Sequence, residues 1–441
     1  AGPRLAGSRI VTAHPADLSN VFSGDEGDRV LSEALFDALR EATGDGVGIT
    51  REAYSERESL ALDLVEAKAR ELGLATERDA GANLVMTLEG AEPELPFLAC
   101  GSHLDSVPQG GNFDGAAGVI AGLAIIARFK EEGFVPRRTI KVYALRGEES
   151  ARFGKAYMGS SALFGKLTAA DLAVRDHATG RNLAQCMADI GVDMARVEKG
   201  EPLLDPATVA AWIELHIEQG PVLVARDLPV GIVTGIRGNV RHRSVECIGE
   251  AGHSGAVPRW LRRDAVFATA ELITHLDRHW RTLLERGRDV VVTAGVLGTD
   301  PQEHAIARIP GKVSFSFEVR SQNRETLEAF YDLFLSECGL VGEERGVAFS
   351  FDRRLESAPA VMDAGWIARL KAAARGLGLP DEEIPSGAGH DAAVFANAGI
   401  PSAMIFVRNE HGSHNPREAM AIDDFLAGIA VMRAAIREAV Q

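Results

Sequence analysis

Histidine and carboxylate residues that could bind metal ions gather in four short segments of the chain. These segments are GSHLDSVPQGGNFDG at 101–115, RGEES at 146–150, ELHIEQG at 214–220 and GSHNP at 412–416. Imidazole nitrogens and carboxylate oxygens are ligands that zinc, manganese and similar divalent ions accept. Together with two or three carboxylates, His103, His216 and His414 therefore predict a site for two divalent cations.

The first segment combines a histidine with two aspartates. His103 directly follows an apolar run, and Asp105 is placed to hold the second ring nitrogen of this histidine. Asp114 precedes the small residues at 115–118, where close approach of the backbone needs glycine. The alternative is that Asp114 only caps a helix and that the other two residues only bind loop backbone.

The second and third segments carry closely spaced acidic groups. Glu148 and Glu149 follow a buried strand, where two carboxylates repel each other unless a cation lies between them. The alternative is a solvated acidic loop. Strand alternation places Glu214, His216 and Glu218 on one side, and the alternative here is the polar face of an edge strand.

The elements that must position these side chains alternate between strands and helices. Apolar runs lie at 95–101, 139–145, 210–217 and 403–407, and helical patterns lie at 30–42, 56–72 and 115–129. This order favours an α/β fold, with a mostly parallel sheet covered by helices on both faces. Sites in such sheets form at the carboxyl ends of the strands, where the four segments lie.

The middle of the chain has a different pattern. Strand-like stretches at 241–249, 290–297, 312–320 and 347–353 enclose helical stretches at 263–284 and 324–338. Their order, β-α-β-β-α-β, predicts an inserted ferredoxin-like α+β domain. We therefore expect a discontinuous catalytic domain at 1–236 and 358–441 and a lid or dimerisation domain at 237–357, with an irregular segment over the first thirty residues.

Composition excludes several classes of partner. The 441 residues carry a formal net charge of −16, and 46% of them are hydrophobic. Such a chain would repel nucleic acid and anionic lipid, and its longest nearly apolar run is too short to span a bilayer. The four cysteines are far apart and predict buried thiols in a reducing compartment, so we expect a cytoplasmic protein that binds neither nucleic acid nor membrane.

Taken together, these segments resemble the M20 metallopeptidase clan and, within it, the hydantoinase/carbamoylase branch. That branch includes N-carbamoyl-L-amino acid hydrolases, β-ureidopropionases and allantoate amidohydrolases. The resemblance runs from about Gly48 to Glu418 and also covers GIVTGIRG, EAGHSGAVPRWLRRDA, IPGKVSFSFEVRS, SGAGHDA and GSHNPRE. His216 is the useful discriminator, because related dipeptidases and carboxypeptidases carry an Asp at that place.

The resemblance implies a role for each candidate ligand. His103, Asp114 and His216 would hold one divalent ion. Asp114, Glu149 and His414 would hold the second, with Asp114 bridging the two. Zinc or manganese is expected at these sites, and cobalt or nickel also fits the ligands. Glu148 would be the free general base.

The resemblance also implies residues that contact the substrate or support the site. Gln219 and His253 are similar to residues that bind the scissile carbonyl or carbamoyl group, and His253 would act from its own or the partner subunit of a dimer. Arg320 resembles an arginine that binds a substrate carboxylate. The segment Gly387, Ala388 and Gly389 resembles the backbone wall of the substrate pocket. Asp105 would support the ring of His103, and His390 and Asp391 would be structural or supporting residues, with a direct role as the alternative. The alternatives are that His253 is a surface histidine and that Arg320 is an exposed charge at the end of a strand.

Two positions depart from the branch. Ala307 stands where the branch usually has an Asn that helps to bind the substrate carboxylate, and His304 or Arg308 could replace that Asn. Ser150 stands where the branch commonly has Gly. We therefore expect intact metal chemistry and an altered substrate pocket.

The favoured function is a two-metal amidohydrolase that cleaves a non-peptide C–N bond of a small carboxylate-bearing carbamoyl, ureido or amide compound. A dipeptidase or aminoacylase of the same clan is the first alternative, and a catalytically silent binding protein of the same fold is the second. A nicotinamide-dependent enzyme is set aside, because the glycines at 110–118 do not form a G-x-G-x-x-G motif. A homodimer through the inserted domain is expected.

Overall fold

The computed structural model describes residues 26–441 of the chain. Its α-helices are α1 (Glu26–Thr43), α2 (Glu56–Glu71), α3 (Ala116–Glu131), α4 (Met158–Leu163), α5 (Ala169–Leu172), α6 (Leu183–Asp189), α7 (Met194–Val197), α8 (Val222–Arg226), α9 (Ala265–Glu285), α10 (Arg324–Arg345), α11 (Ala364–Gly376), α12 (Asp391–Ala396) and α13 (Ile422–Val440). The predicted irregular opening lies mostly outside the described residues, and α1 begins four residues earlier than the predicted helix.

The strands are β1 (Ala75–Arg78), β2 (Leu84–Leu88), β3 (Phe97–His103), β4 (Ile140–Leu145), β5 (Val209–Ile217), β6 (Val230–Ile236), β7 (Gly238–Ile248), β8 (Gly252–His253), β9 (Val291–Thr293), β10 (Leu297–Gly298), β11 (Arg308–Ile309), β12 (Lys312–Ser321), β13 (Ala348–Phe351), β14 (Leu355–Ser357), β15 (Ala360–Val361), β16 (Glu383–Ser386) and β17 (Ser402–Val407). Their lengths are those of ordinary globular proteins.

The described chain divides into two compact units. The first unit contains the residues up to 231 together with 369–382 and 405–441, and the second contains 232–368 and 383–404. The second unit includes the whole predicted insertion, 237–357, and extends beyond it at both ends. The division into a catalytic and a lid domain at those limits stays a prediction.

In the first unit the strands follow the order β1-β2-β4-β3-β5-β17. β3 runs parallel to both β4 and β5, whereas β2 pairs antiparallel with β1 and β4. The mostly parallel sheet predicted from the sequence is thus confirmed at β4, β3 and β5, where the candidate ligands lie. Because β5 is an inner strand, the alternative that treated Glu214, His216 and Glu218 as the polar face of an edge strand is wrong.

Close packing of α3 on the sheet positions the loop that carries Asp114. A Cβ atom added to Gly118 would lie 2.3 Å from the carbonyl oxygen of Leu215 and 2.6 Å from Cβ of Ser102. Only glycine therefore allows the start of α3 to approach β3 and β5 this closely, as the run of small residues predicted. The helix is buried on nearly all sides, which explains its continuous apolar sequence.

The second unit contains a separate antiparallel sheet. Its strands follow the order β10-β12-β7-β13, with β9 also paired to β12 and β14 to β7. The helices α9 and α10 pack on one face of this sheet. The chain order β7-α9-β9-β12-α10-β13 agrees with the predicted ferredoxin-like arrangement, and the short β10 is an addition to it.

Alternation along β12 separates the core of this sheet from its open face. Phe317 and Val319 are buried beneath the helices, and the ring of Phe317 stacks on Phe334 of α10 with centroids 3.8 Å apart. Burying one such side chain contributes about 2–3 kcal/mol. Glu318 and Arg320 alternate with these residues and therefore point to the opposite, partly exposed face.

Two further expectations concern the described residues. No helix among residues 26–441 has the length and apolar character needed to cross a membrane. The cysteines form no disulfide and are all buried, as predicted; they are Cys100, Cys186, Cys247 and Cys338.

Candidate metal centre

The predicted metal ligands come together in the first unit, at the carboxyl ends of its inner strands. His103 is the last residue of β3, and His216 is the next-to-last residue of β5. Glu149 lies in the loop after β4, Asp114 directly precedes the turn into α3, and His414 lies in the loop after β17. Parallel strands end at one edge of a sheet, which is why side chains far apart in sequence meet there.

The first ligand group contains His103, Asp114 and His216, all of them buried. Nε2 of His216 lies 3.3 Å from Oδ1 of Asp114, and Nε2 of His103 lies 3.7 Å from the same oxygen. This oxygen is buried and accepts no hydrogen bond from the part of the chain that the structure describes. The three residues are those that the resemblance assigned to one ion.

The ring orientation of both histidines fits a cation in this group. Nδ1 of His216 lies 2.9 Å from the carbonyl oxygen of Ile217, and Nδ1 of His103 lies 3.1 Å from the carbonyl oxygen of Asp105. A carbonyl oxygen only accepts, so each Nδ1 carries the hydrogen and a neutral ring turns its Nε2 lone pair toward Asp114. A neutral ring held in this way presents Nε2 without its hydrogen, which is the form that binds a divalent cation, and Nε2 of His216 accepts a hydrogen bond of 3.2 Å from the backbone N–H of Gly115.

The pKa shifts of His103 and Asp114 also favour a cation at the first group. Burial alone would favour the neutral form of His103, but Asp105 and other nearby carboxylates outweigh burial and raise its pKa well above the ordinary value. Burial likewise opposes ionisation of Asp114, yet the adjacent His216 keeps the pKa of this carboxyl below its usual range. The pocket thus favours positive charge at its centre.

The second ligand group contains Asp114, Glu149 and His414. Nε2 of His414 lies 3.1 Å from Oε1 of Glu149 and 3.5 Å from Oδ2 of Asp114. The interaction with Glu149 raises the pKa of His414 to about 8. Since the two oxygens of Asp114 face different groups, this carboxylate is placed between them, as the resemblance implied.

Asp105 links the two sides of the centre. Its Oδ1 and Oδ2 accept hydrogen bonds of 3.0 and 2.9 Å from the backbone N–H groups of Glu148 and Glu149. Its Oδ1 also lies 3.3 Å from Nδ1 of His103, so the predicted contact with this ring is confirmed. Glu148 is buried, with Oε2 3.9 Å from Nε2 of His103, and belongs to neither ligand group.

Gln219 also lies at the centre. Its Nε2 donates a hydrogen bond of 2.8 Å to Oδ2 of Asp114, while its Oε1 is buried without a hydrogen-bond partner among the described residues. Its backbone has a φ of 60° and is held by a hydrogen bond from its N–H to Oδ1 of Asn409. The structure therefore places Gln219 beside the ligands, and its role toward a substrate carbonyl stays a prediction.

Sequence reasoning missed Glu418. This carboxylate is buried and its Oε1 accepts hydrogen bonds from the backbone N–H groups of Phe113 and Asp114, at 2.8 and 3.3 Å. Burial is the main cause that raises the pKa of Glu418 to about 7. Its only signal in the sequence is its place four residues after His414, within the matching segment GSHNPRE.

Several predicted substrate residues lie in the second unit. Nη1 of Arg320 donates a hydrogen bond of 3.0 Å to the carbonyl oxygen of Gly387, so two of these residues are in contact. The carbonyl oxygen of Ala388 accepts a hydrogen bond from Oγ of Ser386, and the same hydroxyl lies 3.0 Å from Nε2 of the buried His390. These contacts fix the segment that resembles a pocket wall.

Three further predicted substrate residues lie on or near the short antiparallel pair of β8 and β11: His253, His304 and Arg308. His253 is exposed and pairs in register with Arg308, whose guanidinium lies 3.1 Å from the carboxylate of Glu303. His304 is also exposed, with Nε2 2.7 Å from Oγ1 of Thr299. His253 and Arg308 are thus neighbours, and their roles in substrate binding stay predictions.

Comparison with known proteins agrees with this arrangement. Residues 99–438 match the peptidase family M20/M25/M40. The chain is 37% identical to the N-carbamoyl-L-amino acid amidohydrolase of Geobacillus stearothermophilus, across 87% of this chain and 92% of that protein. It is 30% identical to the allantoate amidohydrolase of Escherichia coli, across 87% of this chain and 91% of that enzyme.

A solved structure gives the same result. The crystal structure of a hydantoinase/carbamoylase family amidase from Burkholderia ambifaria matches with a TM-score of 0.82 and 30% identity, over 94% of this chain and 98% of that one. From the match over residues 99–438 and these relatives, it follows that the chain belongs to peptidase family M20/M25/M40, within its hydantoinase/carbamoylase branch.

Proposed function

We propose that this chain is a metal-dependent hydrolase that cleaves a carbon–nitrogen bond other than a peptide bond. The substrate class is a small carbamoyl, ureido or amide compound that bears a carboxylate. Relatives named N-carbamoyl-L-amino acid amidohydrolase and allantoate amidohydrolase support this class. The observation that carries the proposal is the pair of ligand groups that share Asp114.

Two divalent ions per subunit are part of the proposal. His103 and His216 would hold one of them with Asp114, and Glu149 and His414 would hold the other. Zinc or manganese fits these nitrogen and oxygen ligands, as do cobalt and nickel. Bound ions of this kind supply Lewis acidity and make a water molecule easier to deprotonate.

Glu148 is the proposed general base. Its carboxylate is buried beside the ligand groups without belonging to either, and Asp105 fixes its backbone. It would take a proton from the attacking water and return it to the leaving nitrogen, which makes that nitrogen a better leaving group. General acid–base help of this kind is typically worth about 10²–10⁴-fold in rate.

The remaining candidate residues would bind the substrate. Gln219 and His253 would donate to the carbonyl or carbamoyl oxygen, where negative charge develops. Arg320 would bind the carboxylate, while the backbone at Gly387 and Ala388 would form one wall of the pocket. His304 and Arg308 lie near Ala307 in sequence and would contribute where this chain lacks the usual Asn.

A hydrolysis panel tests the proposed class. Purified protein loaded with zinc or manganese is offered N-carbamoyl amino acids, ring-opened ureido acids, N-acetyl amino acids and dipeptides at equal concentration. We expect turnover of carbamoyl or ureido acids above that of dipeptides, because His216 stands where dipeptidases carry Asp. Preferred hydrolysis of dipeptides or N-acetyl compounds would favour the dipeptidase or aminoacylase alternative, and no hydrolysis would favour the silent binding protein.

A homodimer formed through residues 237–357 and a cytoplasmic location complete the proposal. The four reduced cysteines support a reducing compartment. Gel filtration with light scattering tests the assembly, and the mass of a single chain would contradict the dimer.

A further inference from the structure

The open face of the antiparallel sheet in the second unit carries an ordered row of charged side chains. In the register of β7 and β12, Glu318 lies opposite Arg241 and Arg320 lies opposite Asn239. Residues opposite each other in an antiparallel pair point to the same face. Since the intervening Val240 and Val319 belong to the core beneath α9 and α10, these four polar residues share the face away from the helices.

Glu318 lies between the two guanidinium groups. Its Oε2 is 3.1 Å from Nε of Arg320, and its Oε1 is 3.5 Å from Nε of Arg241. Nε of Arg241 also donates a hydrogen bond of 2.9 Å to Oδ1 of Asn239. Two guanidiniums and one carboxylate leave a net charge of one positive unit on this surface.

The outer nitrogens of both arginines are available to an anion. Nη1 of Arg320 donates to Gly387, but Nη2 of Arg320 and both Nη atoms of Arg241 donate no hydrogen bond in the part of the chain that the structure describes. The Arg241 and Arg320 side chains are 43% and 33% exposed. Guanidinium groups bind carboxylates through two parallel N–H donors; the two Nη groups of Arg241 keep this geometry, and Nη2 of Arg320 adds a further donor.

We propose that Arg241 is a second binding residue for the substrate carboxylate, next to Arg320, and that Glu318 is the positioning residue that holds the two guanidiniums. This inference rests on the proposed function, in which Arg320 binds the carboxylate. Ala307 has removed the amide donor usual in the branch, and Arg241 supplies donors that can replace it. Because Glu318 cancels one of the two positive charges, the site suits one carboxylate better than a dicarboxylate or a phosphate.

Direct binding measurements on the metal-loaded Glu148→Gln protein test the inference, because this parent protein should hold both ions without hydrolysing the probes. The probes are N-carbamoyl-L-alanine, its uncharged carboxamide and the dicarboxylate N-carbamoyl-L-aspartate, each titrated by calorimetry. For Arg241→Gln we expect the Kd of N-carbamoyl-L-alanine to rise about 10- to 100-fold, as for loss of a charge-assisted hydrogen bond, and the Kd of the carboxamide to stay within about 2-fold. Arg243→Gln is the matched control on the same strand, and it should change neither value.

Glu318→Gln tests the positioning role by a change in selectivity. Removing the negative charge of Glu318 raises the net charge of this surface by one unit. The ratio of the Kd of N-carbamoyl-L-aspartate to that of N-carbamoyl-L-alanine should therefore fall by about 5-fold or more. A loss of structure alone would weaken both probes equally and would leave this ratio unchanged. An unchanged ratio would therefore overturn the role of Glu318.

The Arg320→Gln variant separates this inference from the proposed function. If Arg320→Gln weakens the acid and Arg241→Gln does not, the inference about Arg241 is wrong and the proposed function stands. If neither variant weakens binding of the acid, or the Glu148→Gln parent protein binds no probe, the carboxylate-bearing substrate itself is wrong and both fall.

Discussion

The backbone N–H of Glu148 donates a hydrogen bond of 3.0 Å to Oδ1 of Asp105. The same carboxylate lies beside Nδ1 of His103 and accepts a hydrogen bond from the N–H of Glu149. One buried aspartate thus fixes a proposed histidine ligand, a proposed carboxylate ligand and the proposed base. The candidate metal centre and the proposed base are therefore both positioned by Asp105, which follows His103 by two residues in the chain.

Replacing Asp105 with Asn should weaken both metal binding and the positioning of Glu148. The amide nitrogen of Asn cannot accept a hydrogen bond, so one of the N–H groups of Glu148 and Glu149 loses its partner. Loss of such a supporting carboxylate typically costs about 10- to 100-fold in metal affinity or activity. Metal titration of Asp105→Asn and wild type checks this, with Asp45→Asn in an exposed loop as the control; equal affinities would contradict the role of Asp105.

Glu148→Gln should separate catalysis from metal binding. The amide cannot accept a proton, so kcat should fall by about 10²–10⁴-fold, while both ions still bind because Glu148 belongs to neither ligand group. Glu149→Gln, at the adjacent position, should instead lose one ion. Elemental analysis of dialysed protein and steady-state kinetics measure the two effects, and an active Glu148→Gln protein would exclude this residue as the base.

Ligands at strand ends were predictable because the strands themselves have a clear pattern. β3 and most of β5 are buried on both faces, so they appear as continuous apolar runs that end where His103 and His216 stand. β1, by contrast, has the sequence ATER with alternating partial exposure, and no apolar run marks it. The sequence patterns therefore predicted β3, β4, β5 and β17 and omitted this outer strand, and they also omitted β2 and β6, although both are largely buried.

Contacts between distant loops were beyond the reach of sequence patterns. Glu418 accepts a hydrogen bond from the backbone of Phe113, 305 residues earlier in the chain, and only the folded arrangement of loops brings them together. In the same way, the position of Glu318 between Arg241 and Arg320 depends on the register of β7 and β12. Residue type and spacing predicted the candidate ligands and Asp105, whereas Glu418 and the position of Glu318 required the structure.

Gly115→Ala should disturb the metal centre through a single methyl group. An added Cβ would lie 2.4 Å from Cε1 of His103, and φ is 68° at this glycine. Gly133 has the same φ of 68° but no atom within 4 Å of an added Cβ, so Gly133→Ala measures the backbone strain alone. Gly133→Ala should lose about 1–2 kcal/mol of unfolding free energy, and Gly115→Ala should lose more, because its added Cβ also overlaps the His103 ring.

Only Gly115→Ala should also lose metal affinity, because the His103 ring must move to make room. Urea unfolding of the metal-free proteins and metal titration of each variant measure the two quantities separately. Equal metal affinity of Gly115→Ala and Gly133→Ala would show that His103 is not held against this turn.

The helical layer of the second unit contains a carboxylate whose contribution to stability should depend on pH. Glu337 of α10 binds two histidines of α9, with Oε2 2.9 Å from Nδ1 of His275 and Oε1 2.8 Å from Nε2 of His279. Burial opposes ionisation of Glu337, but the two imidazoles outweigh it and lower its pKa from the ordinary value of 4.5. A carboxyl with a lowered folded-state pKa stabilises the fold above its unfolded-state pKa, and this stabilisation is lost as pH falls through the folded-state pKa.

Glu337→Gln should therefore destabilise the protein at neutral pH and have a smaller effect below about pH 4.5. Partly exposed ion pairs are worth about 0.2–1 kcal/mol, so the expected loss is at the upper end of that range for a carboxylate with two partners. Urea unfolding at pH 7.5 and pH 4 measures the difference, with Glu343→Gln on the same helix as the control. A loss that stays constant between the two pH values would mean that Glu337 acts through packing, because a packing contribution does not depend on the ionisation of its carboxyl group.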